Sequence, residues 1–549
     1  MKDRKLLLIL FLILSINLFA QSKWEVDREA ITKILYQHGS DDIPGMAVGV
    51  VKEGKVVYEQ YLGYANLEHK VRINKDTRFN IASDAKQFTA LYILKLIDEG
   101  RIKLEDDIRK YLPELYTNIE EKIAISNLIS HTSGIRDYGY LIGLTGKTAW
   151  KLFIDNEDVI TLLRDQKSLN FEPGTAYLYS NSNYIVLAEI AKRVTGEEFS
   201  SVTKELFERL GMPNTRFQSN YMAIVPHKAR PYSNWNGWRE EPNVGNVHGD
   251  GALFTTLQDQ LKWEQIVQLN DGEYLSQKVI SESQAPLSCS VDDGYGYGLE
   301  FGRYGGMDYV YHNGSTGAYN ATFFRFPEAK VSIVVMTNNR SVPTNYLTQQ
   351  IADCILELPS DSAPYPRRPN GVEPVERSKD LLGVYQSQAD GTIIKIVEKE
   401  GSLYRELYQS DPVKLVPEQG GLFAYQTNGV RINFLKVGQV EQEFTLYHPS
   451  FKPEVYRKLS TVASCDFDKK ELVGNFYNEE TDTRISIEFI EGRTYALTKN
   501  GKERKAELIV GNQLRMNSYR IEIIRDSKHE VVGLNVNNNR IRNVLFHKT

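Results

Sequence analysis

The hydrophobic pattern of this chain changes character once, and that change constrains its architecture more than any single motif. Up to about residue 356, apolar residues recur at both helical and strand spacing. Between Leu358 and Val375 stand Pro359, Pro364, Pro366, Pro369 and Pro374, mixed with Ser, Asp, Gly and Asn. Proline fixes its own backbone torsion and donates no hydrogen bond, so this stretch reads as a stiff extended spacer. Beyond it only alternation remains. Val430, Ile432 and Phe434 share one strand face, as do Ile485, Ile487 and Phe489, and Tyr519, Ile521 and Ile523. Asn428-Gly429 and Asn500-Gly501 are hairpin turns. An internal repeat pairs Leu382-Gly383-Val384-Tyr385 with Val473-Gly474-Asn475-Phe476, and Val455-Tyr456-Arg457-Lys458 with Val544-Leu545-Phe546-His547. The expectation is a mixed helix-and-strand domain (21–357), a linker (358–376) and two small antiparallel β-barrels (377–460 and 466–549). A chain of 549 residues is too long for one ordinary domain.

The chain opens with Lys2, Arg4 and Lys5, an apolar run from Leu6 to Phe19, and Ala20-Gln21. A basic start, a short apolar core and a small residue read as a signal peptide over residues 1–20. A membrane span is the competing reading, but the run falls short of the ~20 apolar residues a bilayer crossing needs. The mature protein is therefore expected to be exported, periplasmic or secreted, with no stable membrane insertion. A net charge of −5 without a basic stripe argues against a nucleic-acid partner. Cys289, Cys354 and Cys465 are odd in number and far apart, and the nine histidines do not pair at zinc-site spacing. No metal and no cofactor is expected.

Within the first domain, 24–38 reads as a helix, and Met46–Val51 with Val56–Tyr61 as a hairpin. Tyr295–Phe301, Tyr309–His312, Asn320–Phe326 and Val331–Met336 read as consecutive antiparallel strands, with a helix over Pro343–Leu356 packed back on them. The chemistry is expected in Phe79-Asn80-Ile81-Ala82-Ser83-Asp84-Ala85-Lys86 and the helix that Lys86 leads into. Ser83 and Lys86 are three positions apart, so one helical turn brings them together. Phe88, Ala90, Leu91, Ile93, Leu94, Leu96 and Ile97 make that helix apolar nearly all round, hence buried. Burial is what lowers a lysine toward neutrality and lets it take a serine proton. Ser201 and Lys204 share the spacing, but Phe199, Val202, Leu206 and Leu210 form the apolar stripe there and leave that pair on the solvated face.

Two further motifs lie downstream. Tyr179-Ser180-Asn181 sits on a loop behind Pro173-Gly174 and directly precedes an amphipathic helix ending at Gly196. Tyr116-Thr117-Asn118 and Tyr232-Ser233-Asn234 have the same spacing without that setting. His312-Asn313-Gly314-Ser315 lies on a strand that can line a cleft, with Gly314 allowing a substrate backbone to approach and a polar side chain facing the serine. His131, beside Thr132, Ser133 and Gly134, reads as a local hydrogen-bonding element.

Ser-x-x-Lys, Tyr-x-Asn and His-x-Gly in this order resemble the serine β-lactamase-related hydrolases, over roughly residues 24–356. The resemblance is to the class C β-lactamase, penicillin-binding protein and D-aminopeptidase-like group. It implies an α/β (α+β) domain: an antiparallel sheet flanked by helices, a helical subdomain, and the cleft between them. A D-aminopeptidase-like branch also carries two barrels behind the catalytic domain. The resemblance further implies that Ser83 forms an acyl-enzyme while Lys86 and Tyr179 move its proton. By the same resemblance Asn181, His312, Gly314 and Ser315 bind substrate, and the N–H groups of Ser83 and Ser315 hold the oxyanion. Histidine at 312 is similar to the esterase and D-aminopeptidase branch, where the β-lactamases proper have lysine. Asp84 departs from the family pattern and is expected to complement the helix N-terminus. The implied partner is a small molecule or short peptide: a D-amino-acid peptide or amide, a β-lactam or a small ester. The rival class is a β-lactam- or cell-wall-peptide-binding sensor with little turnover.

Overall fold

The computed structural model describes residues 26–287, 294–356 and 378–549, less 389–390, 408–411, 419–421, 426–429, 438–440, 449–450, 460–468, 491–492, 499–501, 511–512 and 517–518. The 1–20 leader, the 358–376 linker, both Asn-Gly turns, Cys289 and Cys465 lie outside the described residues.

Seven strands form the central sheet: β1 (Met46–Lys52), β2 (Lys55–Leu62), β3 (Tyr295–Gly296), β4 (Leu299–Tyr304), β5 (Met307–Thr316), β6 (Tyr319–Phe326) and β7 (Val331–Thr337). Their order is β3-β4-β5-β6-β7-β1-β2, every neighbour antiparallel, so the first hairpin docks beside the last strand. Five helices pack against this sheet or beside the cleft: α1 (Arg28–His38), α2 (Lys86–Asp98), α3 (Asn181–Thr195), α4 (Leu257–Leu269) and α5 (Thr344–Leu356). Strand alternation sends side chains to two cores. Met46, Val48, Val50, Ile333 and Val335 pack with Ile31 and Leu35 of α1 and Leu347 and Ile351 of α5. Ala47, Val51, Val334 and Met336 face the opposite way, into the larger core built on α2, α3 and α4.

The stretch read as one strand over Tyr295–Phe301 is two, β3 and β4. Tyr297 (φ +50°) and Gly298 (φ +78°) break it. A Cβ on Gly298 would stand 2.4 Å from the backbone of Lys86 and Gln87, so the bend makes room for the start of α2. Among the described residues no helix is long and apolar enough to cross a membrane.

The alternating region folds into two closed barrels of eight strands, from Gly383–Ser387 to Phe451–Lys458 and from Gly474–Asn478 to Val544–Lys548. Equivalent glycines open each one, at φ +153° and +155°, and equivalent rings, Tyr385 and Phe476, are fully buried. The closing strands correct the repeat by one position. Tyr385 pairs with Lys458 and Phe476 with Lys548, so Lys458 corresponds to Lys548, where the sequence comparison set it against His547. A four-residue match of apolar character is easily displaced by one, and the ladder fixes it.

The barrels differ in how they join the first domain. The first has its own core, around Tyr385, Ile396, Ile432 and Phe444. Phe476, Leu514, Ile521 and Phe546 of the second belong to one continuous cluster with α2 and α3. Arg136 stands at this junction with no exposed surface. It pairs with Glu480 at 2.5 Å and donates to Gln166, Ser168 and the carbonyls of Arg542 and Asn543. Asn170 Oδ1 accepts from Arg542 N at 2.6 Å.

Candidate active site

Ser83 is not inside the helix. It lies on a 3₁₀ turn, Ala82–Ala85, and α2 begins at Lys86. A 3₁₀ turn has three residues per turn and superposes positions i and i+3, which is a tighter match to a Ser-x-x-Lys pair than the α-helix the spacing predicts. Lys86 Nζ is 3.1 Å from Ser83 Oγ. The turn is entered through Ala82 at φ +49°, a left-handed conformation costly for alanine.

What forces the turn is on strand β5. A Cβ on Gly314 would stand 2.0 Å from Ile81 O and 3.0 Å from the Ala82 Cβ. The glycine therefore lets β5 press against the Ser83 turn, rather than only admitting a substrate backbone as the motif predicts. Strand β4 pairs with β5 only from Met307 to Tyr311, so the 312–316 edge runs on beyond that ladder beside Ser83. Ser315 on that edge is exposed.

Lys86 is completely buried, and its amine meets three oxygens: Ser83 Oγ, Asn181 Oδ1 at 2.9 Å and the Asp250 carbonyl at 2.6 Å. Burial pushes it down to about 8, against the opposing pull of Asp250 and with the help of Arg540. A neutral amine has two N–H groups and one lone pair. Two of the three oxygens are carbonyls that only accept, so the lone pair is left for the Ser83 hydroxyl.

Tyr179 precedes the helix α3 that Asn181 opens. Burial holds its phenol above the ordinary range, against the lowering influence of the Arg540 cation and of the Ser83 hydroxyl. Lys86 Nζ lies 5.0 Å from the centre of its ring. His131 stacks on Tyr179 with ring centres 4.2 Å apart. Its Nδ1 accepts from Ser180 N at 3.2 Å and Asn183 Nδ2 at 3.0 Å, so it holds the Tyr-Ser-Asn loop in place, as the sequence predicts. Asp137, which sequence reasoning passes over, accepts from both Asn181 N and Nδ2 at 2.9 Å. It caps α3 and turns the Asn181 carbonyl toward Lys86. Asp250, within Gly249-Asp250-Gly251, is likewise not foreseen. Thr89 donates to Gly249 O at 2.6 Å, and this clamp on α2 aims the Asp250 carbonyl at Lys86.

His312 is buried at 2% exposure and does not present a cation to the cleft. Its Nδ1 is 2.8 Å from the Asn313 carbonyl and must donate, so Nε2 accepts from Tyr295 OH at 3.1 Å. Burial, then the nearby Lys86, lowers it to about 3. Asp84 corrects the expectation of a helix-terminus partner. Its side chain is buried and turned toward His312, 3.7 Å from Nδ1, and burial raises its carboxyl well above the usual range. Since β5 covers this side of the turn, the residue after Ser83 points into protein and not along the helix axis.

Ser201 and Lys204 are exposed on the helix Phe199–Arg209, as the apolar stripe predicts. Arg540, from the turn before the last strand of the second barrel, is not foreseen by any motif: its guanidinium carbon lies 4.1 Å over the Tyr179 ring.

The sequence matches the Beta-lactamase family over residues 30–353. A D-aminopeptidase of Brucella anthropi is 29% identical over 320 residues, 56% of this chain and 58% of that protein, so the match spans less than two thirds of it. A D-aminopeptidase of Gluconobacter oxydans is 27% identical over 469 residues, 82% of this chain and 83% of that one. The octameric penicillin-binding protein homologue from Pyrococcus abyssi superposes with a TM-score of 0.56 at 23% identity, covering 78% of this chain and 98% of its own. A D-amino acid amidase from Ochrobactrum anthropi SV3 gives 0.50 at 22% identity, over 60% and 98%. At these identities the structural likeness establishes the fold.

Proposed function

The chain belongs to the beta-lactamase family, and on that premise we propose that it is a serine hydrolase acting on D-amino-acid amides or short D-peptides through an acyl-enzyme on Ser83. The observation that carries this reading is the buried Lys86 amine, whose two carbonyl partners leave its lone pair for the Ser83 hydroxyl. Ser83 attacks the scissile carbonyl and its proton passes to Lys86. The N–H groups of Ser83 and Ser315 hold the oxyanion, each donor of this kind being worth about 3 kcal/mol in the transition state. Tyr179, beside Lys86, gives its proton to the leaving amine and regains one from Lys86, which restores both groups. Water then repeats the path in reverse on the ester. Asn181 keeps one N–H beyond the bond to Asp137 for the substrate carbonyl. His312 and Gly314 position the turn and Tyr295. The D-aminopeptidase relatives support the choice of D-amino-acid substrates, with small esters as alternative acyl donors. The basic and apolar leader supports export.

Labelling the full chain with a fluorophosphonate and mapping the adduct tests the nucleophile. The expected adduct is on Ser83 alone and is lost in Ser83→Ala. An adduct on Ser201 or any other serine overturns the assignment.

A further inference from the structure

The turn Asn538–Asn543 of the second barrel closes one side of the cleft, and Arg540 is its contribution. Asn538 Oδ1 accepts from Arg540 N at 2.7 Å and from Ile541 N at 2.9 Å, which fixes the turn. The Arg540 carbonyl accepts from Asp137 N and Asn170 Nδ2, both at 3.4 Å, which docks it on the first domain. The backbone of Arg540 is thus held on both sides. Its side chain is not. A guanidinium has five N–H donors, and none of them makes a hydrogen bond to the described residues. Nη1 is buried without a hydrogen-bond partner among them and stands 3.9 Å from Asp137 Oδ2. The Asp137 carboxylate is already committed, accepting from Asn181 N, Asn181 Nδ2 and Gly139 N at 2.9 Å each. The Arg540 side chain keeps 25% of its surface exposed. Leaving so many donors unused is costly, whereas a planar anion would meet them two at a time.

We propose that Arg540 is a specificity-determining residue that binds a carboxylate on the leaving-group side of the substrate, so that the second barrel completes the active site. This deepens the hydrolase reading above and rests on it for what the substrate is. The placement comes from Tyr179. Its ring carries the guanidinium at 4.1 Å and lies 5.0 Å from the Lys86 amine that meets Ser83, so an anion held there lies within about one residue of the scissile bond. A free α-carboxylate on the residue that departs is the group at that distance in a D,D-dipeptide. The competing account is that Arg540 only stacks on Tyr179 to dock the barrel. It predicts a change in melting temperature and no discrimination between ligands.

The test is calorimetric titration of the full-length Ser83→Ala protein with D-alanyl-D-alanine and with the same dipeptide amidated at its C-terminus, repeated with Arg540→Gln and Arg540→Lys added. The acid is expected to bind at least tenfold tighter than the amide. Arg540→Gln is expected to bring the two within about twofold, and Arg540→Lys, which keeps the charge but not the fork, to retain part of the preference. A melting scan of each variant verifies folding. An acid that binds no tighter than the amide overturns the proposal whatever the variants do, as does a preference that survives Arg540→Gln. Absence of saturable binding of the acid at millimolar concentration also overturns it. Hydrolysis persisting in Ser83→Ala would instead break the nucleophile assignment and leave the acid-to-amide ratio to be judged separately.

Discussion

At the scale of single residues, the site turns on how Lys86 is brought toward neutrality beside a carboxylate-bearing loop. Burial wins over Asp250 and Asp137 and lowers it to about 8. In the proposed mechanism the base form accepts the Ser83 proton, which sets the sign: activity is expected to fall as pH falls. With one essential group of this value, kcat/KM for a D-aminoacyl amide is expected to rise about tenfold per pH unit below 7 and to level off above 8. A rate profile over pH 5.5 to 9.5 checks this. A plateau extending to pH 6 would mean that Lys86 is not the base. The same shift makes a stability statement. Between about 8 and the unfolded value near 10.5 the unfolded chain binds the extra proton, so stability from this group grows as pH rises through that window. Below it, the folded protein carries a buried charge in full.

At the scale of elements, three pieces meet at the Ser83 turn: β5 through Gly314, the bend at Tyr297-Gly298, and the clamp of Gly249 on α2. Gly314→Ala is expected to destabilise by roughly 1–3 kcal/mol, as overpacking does, and to lower kcat/KM by about a hundredfold or more because the turn must shift. Denaturant unfolding and steady-state kinetics measure the two effects, and an alanine variant of normal activity would show that β5 does not set the turn. The pairing of Ser83 with Lys86 is legible in the sequence because an apolar run implies burial. The reason for Gly314 is not. A glycine in a strand announces a close approach, but which backbone approaches depends on strand order, and here it is the chain's own residues 81–82. Asp84 is misread for the same cause, since an ideal helix leaves its neighbour free while a covering strand does not. Asp137 and Asp250 carry no spacing signal at all. One caps a helix 44 residues away, and the other acts through its carbonyl, which every residue has.

At the scale of the molecule, alternation and the proline-rich spacer make two barrels legible, but alternation says nothing about what a barrel leans on. The second barrel is part of the main core, and Arg136 is sealed beneath it with Glu480 as its counter-charge. Glu480→Ala is expected to cost roughly 3–5 kcal/mol, the usual result of stranding one member of a buried pair. Chemical unfolding of the full chain measures it. A loss under about 1 kcal/mol would mean that the neutral acceptors around Arg136 suffice. Such docking also sets the order in which the site is made. Arg540 is added to the growing polypeptide 457 residues after Ser83. At translation rates of about 5–20 residues per second, this separates them by on the order of tens of seconds. Serine, lysine and tyrosine are thus laid down first, and the ribosome supplies the cation that lines their cleft only afterwards.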